Sequence, residues 1–314
     1  MNIDSDTEEG TMTGKVIVTI APTGGFLTRA DNPYVPVQPE EIAEDVRRCH
    51  DAGASMAALH ARRPDGQATC DAATYRRINA LVRERCDIVI NNSTGGGVNG
   101  DMVARTADGR AVVDWEQRLR GLDGGAETCT LDAFTAYATG GGTEVLMDTP
   151  SSRARELARL MREKGIKPEW EALNPAHLAQ DVTTLIREGF DDAPHLVNIV
   201  LGLHHVFQNA MPYSPRTLQY MVDLLPAGSV FSVSVAGPEQ TRGLTHALLL
   251  GGHVRVGLED NAQYAPGRTA ENVRFVERIV RIIGELGLEP ATPAEARKIL
   301  GLPAPSRDTA GEAA

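Results

Sequence analysis

Short runs rich in β-branched residues alternate along the chain with amphipathic stretches of about a dozen residues, the pattern of repeated strand–helix units. Eight such runs are present, at residues 16–21, 55–60, 87–92, 128–132, 167–171, 196–202, 229–235 and 253–258. The helical candidates span 39–49, 72–85, 114–119, 151–164, 175–188, 215–225, 239–250 and 270–286. The first of these is marked at both ends. Pro39 occupies the opening turn, Glu40 and Glu41 sit against the positive end of the helix dipole, and Gly53 follows the last turn. The connection from 94 to 127 is the least regular and carries the weakest helix. Eight units predict a (β/α)8 TIM barrel of class α/β. A doubly wound sheet would show a dinucleotide-binding turn after its first strand, and Thr23-Gly24-Gly25 meets neither that spacing nor the P-loop pattern.

The 314 residues are 42% hydrophobic, enough for one large core. Lys and Arg number 31 against 42 Asp and Glu, a net charge of −11, and aromatics make up only 4%. Neither a phosphate-tracking surface nor a base-stacking platform is indicated, so nucleic acid and anionic membrane are excluded as expected partners. No apolar run reaches the roughly 18 residues of a spanning helix. The acidic, polar start lacks the basic-then-apolar order of a signal peptide, which predicts a cytoplasmic protein. Residues 1–14 and 302–314 read as flexible tails around a single barrel domain, 15–301. Cys49, Cys70, Cys86 and Cys129 form no C-x-x-C pair and are expected to be reduced thiols, mostly buried.

A barrel carries its chemistry at the C-terminal ends of its strands, so the residues closing each run form one ring. It comprises Thr23-Gly24-Gly25, His60 with Arg62, Asn92-Ser93-Thr94, Thr130 with Asp132, Glu169 with Glu171, His204-His205, Ser234 and Glu259-Asp260-Asn261. Capping accounts for Ser93, Asp132 or Asn261 taken singly. Arg62, Glu171, His204 and Glu259 are less easily explained, because unpaired charge is costly at a low-dielectric mouth. Period-two alternation puts His253, Arg255, Gly257 and Glu259 on one face of the last strand, pairs Glu169 with Glu171, and aligns Ala58, His60 and Arg62. Such a set suits a metal-assisted carbonyl reaction, with imidazole and carboxylate holding an ion while another carboxylate moves a proton. It equally suits a structural Arg–Glu network, and the pattern leaves both readings open. His50, His177, His195 and His246 are assigned surface or core roles, and Trp115 and Trp170 packing roles.

Several segments together resemble a known family. They are VTIAPTGG (18–25), NPYVPVQPEEIA (32–43), AGAS (52–55), LHARRPDG (59–66), NSTGGG (92–97), KPEWE (167–171), VLG (200–202), VAG (235–237), GGHVRVGLEDN (251–261) and ATPAEARKIL (291–300). The chain is similar in these to the β-keto acid cleavage enzymes, the 3-keto-5-aminohexanoate cleavage enzyme family. The resemblance implies a TIM barrel, usually a homotetramer, that takes a β-keto acid and acetyl-CoA and releases acetoacetate and a new acyl-CoA. It implies zinc or another divalent metal at His60 and Glu259. Ala58 stands where the family has a further zinc histidine, with His204, His205 or water as the substitute. It also implies catalytic roles for Asp260, Arg255 and Glu171. Substrate contacts fall to Ser93, Thr94, Thr130, Arg62 and Phe26, and CoA contacts to the backbone at Gly202 and Gly237. Phe26 replaces a glutamate that meets the substrate's amino group in the founding member. Three readings follow: a metal-assisted acyltransferase, a metal-independent lyase or acyltransferase with Arg62 and Arg255 polarising the carbonyl, and a non-catalytic barrel that binds CoA or a keto acid.

Overall fold

The computed structural model describes residues 14–140 and 142–304. The predicted tails therefore lie outside the described residues except for Gly14 and 302–304. Eight parallel strands close into a barrel: β1 (Val18–Ile20), β2 (Met56–Leu59), β3 (Val89–Asn92), β4 (Thr128–Asp132), β5 (Lys167–Ala172), β6 (His195–Leu201), β7 (Ser229–Val235) and β8 (His253–Val256). Each pairs with its neighbour in the chain, and β8 returns to β1. Strands β4 and β7 have the bounds their apolar runs predict.

The helices are α1 (Pro39–Asp51), α2 (Ala72–Arg85), α3 (Trp115–Arg120), α4 (Ser151–Glu163), α5 (Thr183–Arg187), α6 (Pro215–Asp223), α7 (Gln240–Leu249), α8 (Asn272–Glu285) and α9 (Pro293–Leu300). A π-helical turn at His177–Val182 precedes α5 inside the stretch expected to be one helix. None of the described helices is long and apolar enough to cross a membrane.

Alternation along the strands divides the interior. Outward side chains such as Ile20, Leu59, Ile90, Leu131, Val197 and Val254 form one core with the apolar faces of the helices, including Ile42, Val46, Phe275 and Ile279. Inside the barrel floor, Ile17, Met56, Val89 and Leu196 pack on Ala291, Ala296 and Leu300, so α9 plugs the N-terminal end. That helix was not among the predicted elements. Thr292 and Glu295 cap its start reciprocally, and Arg297 locks it by Nε to Glu127 at 2.6 Å and Nη1 to Asp87 at 2.8 Å.

The irregular connection after β3 also holds more structure than the sequence suggested. Val103–Arg105 and Ala111–Val113 form a hairpin, and Thr143–Met147 joins it in parallel while pairing with Ala136–Gly140. This four-stranded sheet stands at the C-terminal side of the barrel. Thr139 donates its N–H to Val206 at 2.8 Å and Gln208 donates to Tyr137 at 2.9 Å, which ties the sheet edge to the turn after β6.

Candidate active site

The inner face of the strands is polar above the apolar floor, and Arg255 on β8 is its centre. This guanidinium is 5% exposed. Its Nη2 lies 2.6 Å from Asp260 Oδ1 and its Nε 3.1 Å from Oδ2, a two-pronged pair. Nη2 is also 3.3 Å from Glu259 Oε1, and Nη1 is 3.7 Å from Glu171 Oε1. One cation thus faces three carboxylates. Burial opposes the charge on Arg255, yet Asp260, Glu259 and Glu171 outweigh it and hold the guanidinium well above its ordinary value.

The carboxylates are driven apart by their surroundings. Burial raises Asp260 to about 6 against the pull of Arg255. Burial and the nearby Asp132 push Glu171 well above the carboxylate range. Burial likewise lifts Glu169 to about 7, opposed by Arg255 and by the Asn91 amide, whose Nδ2 is 2.5 Å from Glu169 Oε2. Burial acts upward on Glu259 too, but His60 and Arg255 overcome it and hold this carboxyl at about 2. Neighbouring acids separated in this way suit a division of labour, with Glu259 a fixed anion and Asp260 a group that exchanges protons near neutrality.

His60 stands opposite Glu259. Its Nδ1 is 2.9 Å from the Gly96 carbonyl, which can only accept, so Nδ1 donates there, and Nε2 faces Glu259 Oε1 at 3.3 Å. Glu259 Oε2 is buried without a partner. Gly24 has φ +59°, and a Cβ there would lie 2.5 Å from Glu259 Cγ, so only glycine lets the β1 loop pass this close.

The remaining predicted residues divide into those at the mouth and those with other tasks. Ser93 Oγ accepts from Gly96 N at 3.2 Å and keeps its own proton to donate. Thr130 Oγ1 accepts from Thr94 N at 2.9 Å and likewise keeps its proton. Thr94 is fully buried and spends its hydroxyl proton on the Thr130 carbonyl at 2.8 Å, so it locks β3 to β4 and has no side-chain donor left for a substrate carboxylate. Arg62, expected to contact substrate, gives Nη2 to the Thr23 and Leu27 carbonyls and Nη1 to that of Gly66, and so pins the β1 loop. Phe26 meets Phe207 edge to face at 5.9 Å, against the turn that the outer sheet braces.

The glycines expected to cradle CoA have committed amides: Gly202 donates to Met211 at 2.9 Å and Gly237 to Asp260 at 2.8 Å. A Cβ on Gly202 would meet Ala236 O at 2.5 Å, which explains the residue by close approach of two strand ends. His204 and His205 are exposed, with ring centroids 3.9 Å apart. His177 is a buried core residue stacked on Phe134, and burial lowers it to about 4. The three most buried cysteines, Cys49, Cys70 and Cys129, are free thiols, as is the half-buried Cys86.

Three residues of the site were missed. Arg118 on α3 is buried and reaches the Thr94 carbonyl at 3.0 Å, Thr149 Oγ1 at 2.6 Å and Asp132 Oδ2 at 3.3 Å, holding the turn after β3 against the end of β4. Asn272, at the start of α8, accepts from Leu258 N at 2.8 Å and donates to the Pro22 carbonyl at 2.9 Å and to Asp45 at 2.5 Å. Asn198 is flanked on both sides by apolar residues in strand β6, whose other polar residue, His195, opens it, and that isolation is the signal that would have marked it.

A family model of the β-keto acid cleavage enzymes matches residues 15–302. The 3-keto-5-aminohexanoate cleavage enzyme of Fusobacterium nucleatum is 36% identical over 293 residues, covering 93% of this chain and 99% of that protein. The 3-dehydrocarnitine:acetyl-CoA trimethylamine transferase of Rhizobium meliloti is 32% identical over 306 residues, covering 93% of this chain and 98% of that protein. The solved binary complex of ObcA with oxaloacetate shares the fold, with a TM-score of 0.68 at 22% identity over 87% of this chain and 68% of that chain.

Proposed function

The chain belongs to the β-keto acid cleavage enzyme family, and from that premise we propose that it is a CoA-dependent acyltransferase. It takes a β-keto acid and acetyl-CoA and releases acetoacetate and the acyl-CoA of the remaining carbons. The observation that carries this reading is Asp260 gripped in two-pronged fashion by Arg255 at the strand ends, with a carboxyl raised to about 6.

Asp260 removes a proton from the carbon between the keto and carboxylate groups. The resulting carbanion attacks the acetyl carbonyl carbon, the thioester bond breaks, and CoA leaves as thiolate. The thiolate then adds to the original keto carbon, the bond from that carbon to the former carbanion centre breaks, and the new acyl-CoA forms. The departing fragment is the enolate of acetoacetate, which recovers its proton from Asp260. Arg255 orients Asp260, while the free hydroxyl protons of Ser93 and Thr130 meet the substrate carboxylate.

The resemblance implies zinc, for which a catalytic site normally supplies three protein donors. His60 Nε2 and Glu259 are two. Ala58 presents a methyl on the same strand face as His60, and the exposed His204 and His205 rings lie against each other tilted by 45°. Among the described residues no group of three His, Cys, Asp or Glu converges to hold an ion. This donor set does not fit the family's zinc site, and the steps above run through the protein's own side chains. A cytoplasmic homotetramer is the form this reading carries, and light scattering of the purified protein tests the assembly.

The decisive experiment incubates the protein with acetyl-CoA and a panel of β-keto acids, with and without added zinc, and follows acetoacetate. Formation that survives chelation supports the metal-independent route. Formation that appears only with added metal shows that an ion completes the two-donor set. Tight binding of CoA or keto acid with no acetoacetate from any substrate would leave a binding barrel.

A further inference from the structure

We propose that Asn198 is a positioning residue of this reaction, a side-chain amide fixed by two serines so that it aims the Glu171 carboxylate. The proposal rests on the acyltransferase reading above. Asn198 lies in the middle of β6, fully buried, and is paired in register with Ser232 of β7. Its Oδ1 accepts from Ser234 Oγ at 2.9 Å and from Ser232 Oγ at 3.2 Å. An amide oxygen has two lone pairs, and both are taken. The NH2 end must therefore point the other way, and it lies 3.3 Å from Glu171 Oε1 on the neighbouring strand β5.

The same Glu171 oxygen lies 3.7 Å from Arg255 Nη1. It is thus held between a neutral donor on β6 and a cation on β8, while Asp132 on β4 and Glu169 on β5 act on it from the acidic side. A carboxyl among other carboxyls has several low-cost rotations and proton positions. A donor that cannot flip selects one of them. Two serine hydroxyls facing a single amide oxygen inside a barrel have no packing rationale of their own, whereas ordering the Glu171 carboxyl beside Arg255 accounts for both.

The test uses the full-length protein with Asn198→Asp, which keeps shape and both serine contacts but replaces the donor with a carboxyl, and the double variant Ser232→Ala/Ser234→Ala, which frees the amide to turn. For Asn198→Asp the expected result is a ten- to hundredfold loss of kcat with KM changed by less than threefold. A shift of the Glu171 carboxyl titration to higher pH should accompany it, followed by carbon-13 NMR with Glu171→Gln as the assignment control. The serine double variant should lose severalfold in kcat in the same direction. A folded Asn198→Asp protein with unchanged kcat and an unmoved Glu171 resonance would overturn the proposal. The carboxyl titration needs no turnover, so a moved resonance in a protein that makes no acetoacetate would uphold the positioning geometry and count against the reaction instead.

Discussion

Replacing Asp260 by Asn tests the proton-transfer step with the least change of shape. The variant removes the acceptor and turns one of the two Arg255 contacts, at 2.6 and 3.1 Å, into a meeting of two donors. Loss of a general base costs about 10²–10⁴ in rate, or roughly 3–5 kcal/mol of transition-state stabilisation. The fold is expected to suffer less. Breaking a buried ion pair costs about 3–5 kcal/mol, but Arg255 keeps Glu259 at 3.3 Å and Glu171 at 3.7 Å, so the lower end applies. For a chain of 314 residues that corresponds to a fall in Tm of roughly 5 °C.

The pH dependence provides a second check. The Asp260 carboxyl is raised by burial from 3.8 to about 6, so the base is ionised only above that value and kcat/KM should fall on the acid side with a midpoint near pH 6. The stability sign is the reverse of a salt-bridged carboxylate. The folded state binds this proton more tightly than the unfolded chain, so the group's contribution is most favourable below 3.8 and declines as pH rises to about 6. Steady-state acetoacetate formation, calorimetry and the pH profile of the parent address each part. Turnover by Asp260→Asn within tenfold of the parent, in a folded protein, would refute the assignment of Asp260 as proton acceptor.

Other substitutions probe the frame around the site. Asn272→Ala strands the Leu258 N–H, the Pro22 carbonyl and the buried Asp45, and at about 1–3 kcal/mol for each orphaned group it should lower Tm more than Asp260→Asn does. Thermal unfolding read by circular dichroism checks the order. Ala58→His adds a third donor on the His60 face, and zinc retained after gel filtration should rise toward one ion per chain, measured by elemental analysis beside the parent. Phe26→Glu exchanges an aromatic face for a carboxylate at the mouth and should raise kcat/KM for amino-bearing β-keto acids at least tenfold relative to neutral ones, read from paired substrate assays.

The barrel was legible because its strands are buried, and short runs rich in β-branched residues recurring between amphipathic stretches mark such strands directly. The runs behind β4 and β7 needed no adjustment. The sheet beside the mouth was not legible in the same way. Its strands are short and partly exposed, and Val145 pairs in parallel with Ala111, a partner no local pattern announces. The one local clue was Asp108-Gly109, a hairpin dipeptide with Gly109 at φ +86°. In the site, period-two alternation put Arg255, Glu259, His60 and Glu171 on inward faces, and the structure brings those four side chains together. That alternation could not separate a residue that reaches into the mouth from one that turns back to the backbone, as Arg62 and Thr94 do. Asn198, Asn272 and Arg118 escaped because their roles depend on hydrogen bonds between distant segments.

The plug formed by α9 has a consequence for traffic. With Ala296 and Leu300 seated against Met56, Val89 and Leu196, the barrel is stoppered at one end and has a single door. Two substrates and two products must use that door, so each departing molecule competes with an arriving one for the same passage. Such an enzyme is slowed by its own products in proportion to how long they linger at the exit.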